Sequence, residues 1–505
     1  MKRFILAHDL GTSGNKTTLF TTDGKLIASK THAYGTRYFN NNWAEQNPDD
    51  WWDAVCNSTK ELVKDIDVND IASVCFSGQM MGCLCVDKYG QPLGNSIIYC
   101  DQRAVKETES ILKKIDANDF YKITGHRASA SYSVEKLMWI KNNEPQIYKN
   151  TYKMLHAKDY VNFKLTGKMA TDFTDASGTN VFDLNSYTWS DKLIDITGID
   201  GEKLPELKES TSVIGEVTKK AAEETGLAKG TPVVAGAGDG ICAAVGVGSV
   251  KPGVTYNYLG SSSWIAITTD KPIYDEKMRT FVWAHAVPGY LHPCGTMQTA
   301  GSSYNWLKNE VCRIETEEAK KKGLSPYELI DMEIEKSAPG ANGIIFLPYL
   351  LGERTPRWNP NARGAFIGLT LGHKREDILR SVLEGVSYNL SIILDIFRSH
   401  VSIDDMIVIG GGAKGKVWRQ IMADIYNVNI LEPNYLEEAT STGAAIIGGI
   451  GVGIFKDFDV TGKFIEIKSI QKPIENNTKT YNKIKPLFDE CYTSLVEVYE
   501  KLAEM

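Results

Sequence analysis

A carboxylate followed by a glycine- and hydroxyl-rich turn lies near the start of the chain, between two runs of apolar residues. The segment FILAHDLGTSGNKTTLF, residues 4–20, sets Asp9 just before the turn Gly11-Thr12-Ser13-Gly14. The flanking runs predict two strands, and the turn predicts a hairpin whose exposed N–H groups and hydroxyls could bind phosphate. We therefore predict that Thr12 and Ser13 contact phosphate and that Asp9 organises Mg2+, which prefers oxygen ligands.

The same design recurs in the second half of the chain. Residues 254–268, VTYNYLGSSSWIAIT, again place a glycine- and serine-rich turn between two alternating apolar runs. A single motif of this kind is often only a hairpin. Two of them, one in each half, predict two phosphate-binding turns, with Gly260 and Ser261 in the second. A Walker A loop would need glycine where Asn15 stands, and no GxGxxG clearly follows a strand, which excludes P-loop and Rossmann sites.

Asp239 is the second carboxylate in a position suited to chemistry. It follows the buried strand predicted for residues 231–235, has glycine on both sides in GAGDG, and precedes the helix predicted for residues 241–247. The positive end of that helix would favour an ionised carboxylate. Asp239 is therefore a candidate general base, and an aspartate that only caps the helix is the alternative that the local sequence leaves open.

Strands alternate with helices in both halves, which predicts the α/β class with mixed sheets. Strands are expected at residues 71–77, 97–100 and 406–409, a helix capped by Asn47 at its start, and a long closing helix over residues 481–502. Glycine and proline cluster at residues 246–253. Such residues favour connections between domains, so we predict an N-terminal lobe over 1–248 and a C-terminal lobe over 249–505.

Length and composition limit the kinds of partner. The 505 residues suffice for two large lobes, and the net charge of −7 argues against nucleic acid or an anionic membrane as the main partner. Nine cysteines without a CxxC pair, including Cys83 and Cys85 in an apolar run, predict free thiols in a reducing compartment. The longest uncharged apolar segment, residues 442–455, is too short to span a membrane. We expect a cytoplasmic protein that acts on small molecules.

Several segments resemble the FGGY carbohydrate kinases. SYSVEKLMWIKNN (residues 131–143) and GAFIGLTLGHKREDILRSVLE (residues 364–384) are similar to the two signature segments of that family. WAEQNPDDWW, KDYVNFKLTG, GAGDG and FLPYLLGERTP extend the resemblance, which is strongest to xylulose kinases. It implies two actin-like, RNase-H-like lobes with the active site in the cleft between them.

The resemblance implies a kinase that transfers the γ-phosphate of ATP, with Mg2+, to a sugar hydroxyl, D-xylulose first. Asp239 would be the catalytic base and Asp9 the second catalytic residue and metal ligand. The glycine triplet of residues 410–412 resembles the family's adenosine site, although such triplets also occur in ordinary strand-to-helix turns. Beyond the two hairpins, the implied nucleotide contacts are Gly301, Asn305, Gly410, Gly411, Gly412 and Lys416.

The sugar contacts implied by the resemblance include Met80 and Met81, which align with a Met-His pair in xylulose kinases. Methionine makes no charged hydrogen bonds, which excludes the polyol contacts of glycerol kinases. Met81 offers shape and polarisable contact where a histidine would donate a hydrogen bond. The other implied contacts are Tyr99, Asp101, Arg103 and Asp239; for Asp101 and Arg103 an ion pair within the lobe is the alternative.

The altered methionine pair leaves other substrates open: gluconate, another ketose or polyol, or a signalling sugar. A non-catalytic nucleotide switch of the actin or Hsp70 kind is the alternative from a different class, because it shares paired hairpins without needing Asp239 or a sugar pocket. The oligomeric state is left open, including a homodimer.

Overall fold

A computed structural model, which describes residues 2–505, contains one large mixed sheet in each half of the chain. The first half contains β1 (Phe4–Leu10), β2 (Gly14–Thr21), β3 (Leu26–Ala33), β4 (Arg37–Phe39), β5 (Trp43–Gln46), β6 (Ile71–Gly78), β7 (Leu84–Val86), β8 (Ser96–Ile97), β9 (Lys153–Leu155), β10 (Ala170–Asp172), β11 (Phe182–Asp183), β12 (Thr188–Trp189), β13 (Glu206–Lys208), β14 (Val213–Glu216) and β15 (Pro232–Gly238). Six of these strands form the large sheet, in the order β14-β15-β6-β1-β2-β3.

The second half repeats this plan with nine strands. They are β16 (Thr255–Leu259), β17 (Ser263–Ile267), β18 (Phe281–Ala284), β19 (Leu291–Met297), β20 (Ile345–Leu347), β21 (Ala365–Ile367), β22 (Asp405–Ile409), β23 (Asn429–Pro433) and β24 (Ile467–Gln471). Seven of them form the second large sheet, in the order β18-β19-β17-β16-β22-β23-β24. In both sheets a hairpin stands beside a parallel strand, since β1 pairs with β6 and β16 with β22.

Helices surround both sheets. In the first half they are α1 (Pro48–Val63), α2 (Val105–Leu112), α3 (Ala117–Thr124), α4 (Ser133–Asn143), α5 (Pro145–Asn150), α6 (Ala157–Thr166), α7 (Phe173–Ser177), α8 (Asp191–Thr197), α9 (Lys219–Thr225) and α10 (Asp239–Gly246). In the second half they are α11 (Gly301–Trp306), α12 (Arg313–Lys322), α13 (Pro326–Ile334), α14 (Arg375–Arg398), α15 (Lys416–Tyr426), α16 (Ala439–Gly451), α17 (Thr461–Phe464) and α18 (Glu475–Ala503). Central strand β6 is buried along its whole length, and all its residues are apolar or small.

The helices α10 and α16 join the two halves of the molecule. A Cβ built on Gly443 would lie 1.9 Å from the carbonyl oxygen of Cys242, and one built on Gly246 would lie 1.8 Å from that of Ala439. Glycine is therefore required at this crossing, because any side chain would force the helices apart. The crossing brings the start of α16, from the second half, next to the first sheet.

Most predicted elements are confirmed, with some differences at their ends. Asn47 caps α1 by accepting the N–H of Asp49 at 3.2 Å, and the closing helix begins six residues earlier than predicted. The strand expected at residues 97–100 is shorter, because the chain turns after Ile97. All nine cysteines are free, and Cys83 and Cys85 are buried as predicted. Across residues 2–505, the helices are all too short or too polar to cross a membrane. The lobe boundary at 248/249 stays a prediction.

Candidate active site

The turn of the first hairpin is held by side chains from outside it. The N–H of Gly11 donates to the Gly14 carbonyl at 3.0 Å, which closes the turn. The Tyr34 hydroxyl donates to the Gly11 carbonyl, and the Gln46 amide donates to the Thr12 carbonyl at 2.6 Å. Ser13 is exposed at the tip. The turn is thus fixed from behind while its tip faces solvent.

Asp9 lies at the end of β1, with both carboxylate oxygens held by hydroxyl groups. Ser77 donates to Oδ1 at 3.2 Å, and Thr440, at the start of α16, donates to Oδ2 at 2.6 Å. Burial raises the pKa of Asp9, while these hydroxyls and the charge of Lys16 lower it. One carboxylate therefore contacts both halves of the molecule through its hydrogen bonds.

Asp239 is the first residue of α10 and is half-buried. Its Oδ1 accepts the N–H of Gly240 at 2.7 Å, but Gly238 is the cap residue and no side chain caps this helix, so Asp239 is not the helix cap that the alternative supposed. Burial raises its pKa to about 7, and the negative charge of Asp9 adds to the rise. The two carboxylates therefore share one electrostatic environment, and a carboxylate with a pKa near 7 is suited to general-base chemistry at neutral pH.

The second hairpin is joined directly to the start of α11. The N–H of Gly301 donates to the Gly260 carbonyl at 2.8 Å, and that of Ala300 donates to the Ser261 carbonyl at 3.0 Å. A Cβ built on Gly301 would lie 2.4 Å from the Gly260 oxygen, so this approach requires glycine. Three predicted nucleotide contacts, Gly260, Ser261 and Gly301, are thereby brought together, with Ser261 exposed.

The glycine triplet after β22 packs against the strand that leads into this hairpin. Gly410 has a φ of +91°, and a Cβ built there would lie 2.7 Å from the Leu259 carbonyl oxygen. A Cβ on Gly412 would lie 2.6 Å from the Leu259 side chain, whereas Gly411 is exposed and unrestricted. The triplet thus joins the edge formed by Gly260 and Gly301.

The other two predicted nucleotide residues are also exposed. Asn305 lies on α11 and accepts the Tyr327 hydroxyl at 3.4 Å, and Lys416 is the first residue of α15. Both therefore lie on helices that begin next to the second hairpin or the triplet.

The methionine pair lies beside Asp239. A Cβ built on Gly238 would lie 2.4 Å from the Met80 sulfur, so Met80 packs directly on the residue before Asp239. Met81 has a φ of +62°, and its carbonyl accepts the Lys136 ammonium at 2.7 Å. Tyr99 is half-buried; burial raises its pKa and the charge of Asp239 adds to the rise. Met80 and Tyr99 therefore lie close to the candidate base.

Asp101 and Arg103 form an ion pair inside the first half, which is the alternative that the sequence left open; direct contact of either residue with a sugar stays a prediction. The guanidinium donates to Asp101 at 2.7 Å and to Glu45 at 2.9 Å, and lies 4.0 Å from the ring centroid of Trp43. The Asp101 side chain is fully buried and that of Arg103 is 2% exposed. The pair therefore shapes the loop after β8.

A buried charge cluster beneath the sugar residues was not foreseen from the sequence. The Lys158 ammonium lies 2.8 Å from Asp159, 3.1 Å from Asp172 and 3.2 Å from Asp175, all without exposed surface. His156, Asp159 and Asp175 are metal-ligating residue types brought close together. The single ammonium of Lys158 offsets part of the negative charge of these three carboxylates, and both oxygens of Asp175 lack a hydrogen-bond partner. The segment KDYVNFKLTG contains the signal, but nothing in it indicates the carboxylates of residues 172 and 175.

Thr174 connects this cluster to the strand end that carries Asp239. Its hydroxyl donates to Asp172 at 2.6 Å and accepts the N–H of Gly238 at 2.9 Å. Ser210 also donates to Asp172, at 2.7 Å. A continuous path of contacts therefore runs from Lys158 to the residue before the candidate base.

Two family models match the chain, and both describe the FGGY family of carbohydrate kinases. The N-terminal domain matches residues 4–246 and the C-terminal domain matches residues 255–452. Together they include both hairpins, Asp239 and the glycine triplet.

Sequence relatives and a solved structure extend the similarity over the whole chain. A gluconokinase of Bacillus licheniformis is 32% identical over 100% of this chain and 98% of the relative. A xylulose kinase of Staphylococcus xylosus is 31% identical over 97% of this chain and 99% of the relative. The crystal structure of a ligand-bound xylulose kinase from Lactobacillus acidophilus superposes with a TM-score of 0.92 at 28% identity, covering 99% of each chain. The nearly equal identities do not separate the two sugars.

Proposed function

The chain belongs to the FGGY family of carbohydrate kinases and has its two-lobed fold, and we propose that this sugar kinase phosphorylates a terminal hydroxyl of D-xylulose with Asp239 as the base. The observation that carries the proposal is the half-buried carboxylate of Asp239, whose pKa burial raises to about 7, beside Asp9 and the methionine pair. Membership in a kinase family disfavours a non-catalytic nucleotide switch.

The reaction needs a proton acceptor next to a weakly nucleophilic hydroxyl. Asp239 accepts the proton of the sugar hydroxyl as its oxygen attacks the γ-phosphorus of ATP and the bond to the bridging oxygen of ADP breaks. The products are the sugar phosphate and ADP, with the proton on Asp239. Tyr99 and Met80 flank the carboxylate and restrict the position of the sugar.

The two hairpins are suited to hold the phosphates from both lobes. We propose phosphate contacts from Thr12 and Ser13 on one side and from Gly260 and Ser261 on the other, with Gly301, Asn305, Gly410, Gly411, Gly412 and Lys416 around the rest of the nucleotide. The carboxylate oxygens of Asp9 are ligands of the kind that Mg2+ prefers, so Asp9 would hold the ion. When bound, the ion neutralises charge on the phosphates.

A sugar acid such as gluconate is the second candidate substrate, and one observation favours it. Within residues 2–505, the guanidinium groups of Arg127 and Arg354 have no carboxylate within ion-pair distance. They lie 4.9 Å from the ring of Trp358 and 5.7 Å from that of Phe281, and these two rings are 5.6 Å apart. Two cations without an ion-pair partner are groups of the kind that could bind the carboxylate of an aldonate.

The test is a coupled assay of ADP release over a panel of ketoses, aldoses, polyols and aldonates. We expect D-xylulose to give the highest kcat/KM, and a preference for gluconate would favour the second candidate. Asp239→Asn should lower kcat by ~10²-fold or more while the KM for ATP changes little, because the base is lost and the shape is kept.

Asp424→Asn is the matched control for this substitution. Asp424 is buried in the second half and accepts the N–H of Ile474 at 2.7 Å, so the variant makes the same change away from the cleft. A folded Asp239→Asn enzyme with the turnover of Asp424→Asn would remove Asp239 from the mechanism. An absence of sugar-dependent ADP release over the whole panel would refute the proposed function.

A further inference from the structure

Two neighbouring aromatic side chains near the sugar residues are buried without hydrogen-bond partners. Among residues 2–505, the two ring nitrogens of His126 and the hydroxyl of Tyr132 have no hydrogen-bond partner. The two rings lie 5.0 Å apart, and their side chains are essentially without exposed surface. Burial of unpaired polar groups is costly, so native proteins usually satisfy them with protein, water or ligand.

His126 differs in this respect from the other buried histidines. His8 contacts Asn15 and Thr17, His156 bonds to Ser133, the His285 ring accepts the N–H of Val287, and one ring nitrogen of His292 lies 3.5 Å from the Tyr256 hydroxyl. Each of these rings has at least one partner in the protein. The unpaired imidazole at position 126 therefore requires a specific explanation.

The pair is linked to Met81 indirectly, through Trp283 and through Lys136. The ring of Trp283 lies 4.2 Å from that of His126, and a Cβ built on Gly178 would lie 3.2 Å from Trp283 and 3.4 Å from Met81. The Lys136 ammonium donates both to the Met81 carbonyl and to that of Ser131, the residue before Tyr132. Met81 and Tyr132 therefore pack in the same core cluster as Met80, and His126 joins them through Trp283.

Both side chains can donate and accept hydrogen bonds at neutral pH. Burial lowers the pKa of His126 to about 3, so the ring is neutral, with one N–H donor and one acceptor nitrogen. Burial raises the pKa of Tyr132, so its hydroxyl also stays neutral. A pair of this kind matches sugar hydroxyls, which likewise donate and accept.

We propose that His126 and Tyr132 hydrogen-bond the hydroxyl groups at the end of the sugar remote from the transferred phosphate. His126 would thereby supply the imidazole that xylulose kinases resembling this chain carry at the position of Met81. The inference rests on the proposed function, because it assigns these residues to the same sugar site. Both residues would determine substrate specificity, and neither touches the reacting atoms.

Tyr132→Phe removes only the hydroxyl and is the first test. We expect the KM for the sugar to rise about 10-fold while kcat and the KM for ATP stay within about twofold, since one sugar hydrogen bond is worth roughly that factor. Thermal stability should not fall, because the lost hydroxyl has no partner in the protein. A merely structural residue would show the opposite pattern, with lower stability and an unchanged KM.

Tyr426→Phe is the matched control, because Tyr426 is also fully buried with an unpaired hydroxyl, in the core of the second half. It should leave the sugar KM unchanged. His126→Phe, which keeps an aromatic ring, should raise the sugar KM in the same way as Tyr132→Phe. The inference is wrong if both variants keep the wild-type sugar KM.

Monodeoxy analogues of the preferred sugar test for direct contact. Loss of the contacted hydroxyl should lower kcat/KM for the wild-type enzyme but cause no further loss in Tyr132→Phe, because the bond is already absent. If the two losses simply multiply for every analogue, the hydroxyls do not meet and the inference falls. The proposed function would survive that result, whereas an enzyme inactive on all sugars would refute the proposed function itself.

Discussion

Two buried polar clusters lie near the sugar residues, and they differ in whether their groups are paired. In the first, the Lys158 ammonium is within 3.2 Å of three carboxylates. In the second, both ring nitrogens of His126 and the hydroxyl of Tyr132 are buried without a hydrogen-bond partner among the described residues. Buried charges persist when they are paired, so the contacts of Lys158 hold the first cluster together, although the oxygens of Asp175 accept no hydrogen bond. For the second cluster, we propose that the bound sugar supplies the missing partners.

The difference suggests separate roles for the two clusters. A Cβ built on Gly78 would lie 2.7 Å from the Cβ of Lys158, and Thr174 bonds to Gly238, so the paired cluster supports the ends of β6 and β15 from below. These two strand ends carry the methionine pair and Asp239. The unpaired cluster is linked to Met81 through Trp283, at the proposed sugar site. We therefore expect the first to affect stability and turnover, and the second to affect sugar affinity.

Removal of the Lys158 ammonium from the paired cluster should have the largest effect. Lys158→Met leaves buried carboxylates without their counter-ion, which we expect to lower the free energy of unfolding by about 3–5 kcal/mol. Urea unfolding measures this, with Lys153→Met as control, since Lys153 is partly exposed and donates only to backbone carbonyls. Equal stability of the two variants would show that the cluster is not a supporting element.

Removal of the link between the cluster and the base should lower turnover without affecting sugar affinity. In Thr174→Val the N–H of Gly238 loses its acceptor, so Asp239 is held less accurately, and we expect kcat to fall about 10-fold with little change in either KM. Thr174→Ser keeps the hydroxyl and should retain most of the turnover. Steady-state kinetics measures both.

The matched control for this link is Thr225→Val. The Thr225 hydroxyl is also fully buried, donates to the Ala221 carbonyl at 2.7 Å and accepts the N–H of Leu227 at 3.3 Å, away from the cleft. If Thr225→Val loses as much turnover as Thr174→Val, the effect is general destabilisation and the link has no specific role.

The smallest expected effect is a shift of the pH profile. Burial and the charge of Asp9 raise the pKa of Asp239 to about 7 from the ordinary 3.8, so kcat/KM should fall as the pH drops below about 7 and the base becomes protonated. The charge of Asp175 also raises this pKa. Asp175→Asn should therefore move the acid limb to lower pH, whereas Asp424→Asn should not. An unmoved limb would contradict the electrostatic link.

The sign of the effect on stability is opposite to that on activity. Because the folded-state pKa of Asp239 is raised, the contribution of this group to stability is fully present below the unfolded pKa of about 3.8 and is lost as the pH rises through about 7. Asp239 is therefore ionised, and able to act as a base, in the pH range where it contributes least to stability.

Local patterns were enough to predict the hairpins, the cap at Asn47 and the strand before Asp239, because turn chemistry, capping and burial act between residues close in sequence. The hairpins also repeat, which made the two-lobed plan recognisable. The resemblance to the FGGY kinases is confirmed by the family models and the relatives.

The amino-acid sequence by itself therefore determined the family, the α/β class and the candidates Asp9 and Asp239. Only the tertiary structure decided which polar groups are paired. Asp101 and Arg103 are held by each other and by Glu45, while His126 and Tyr132 have no partner, and both outcomes depend on residues far apart in the chain. Burial and pairing are properties of three-dimensional packing. The residue type printed in the sequence is the same whether its side chain meets a carboxylate, a sugar or another ring.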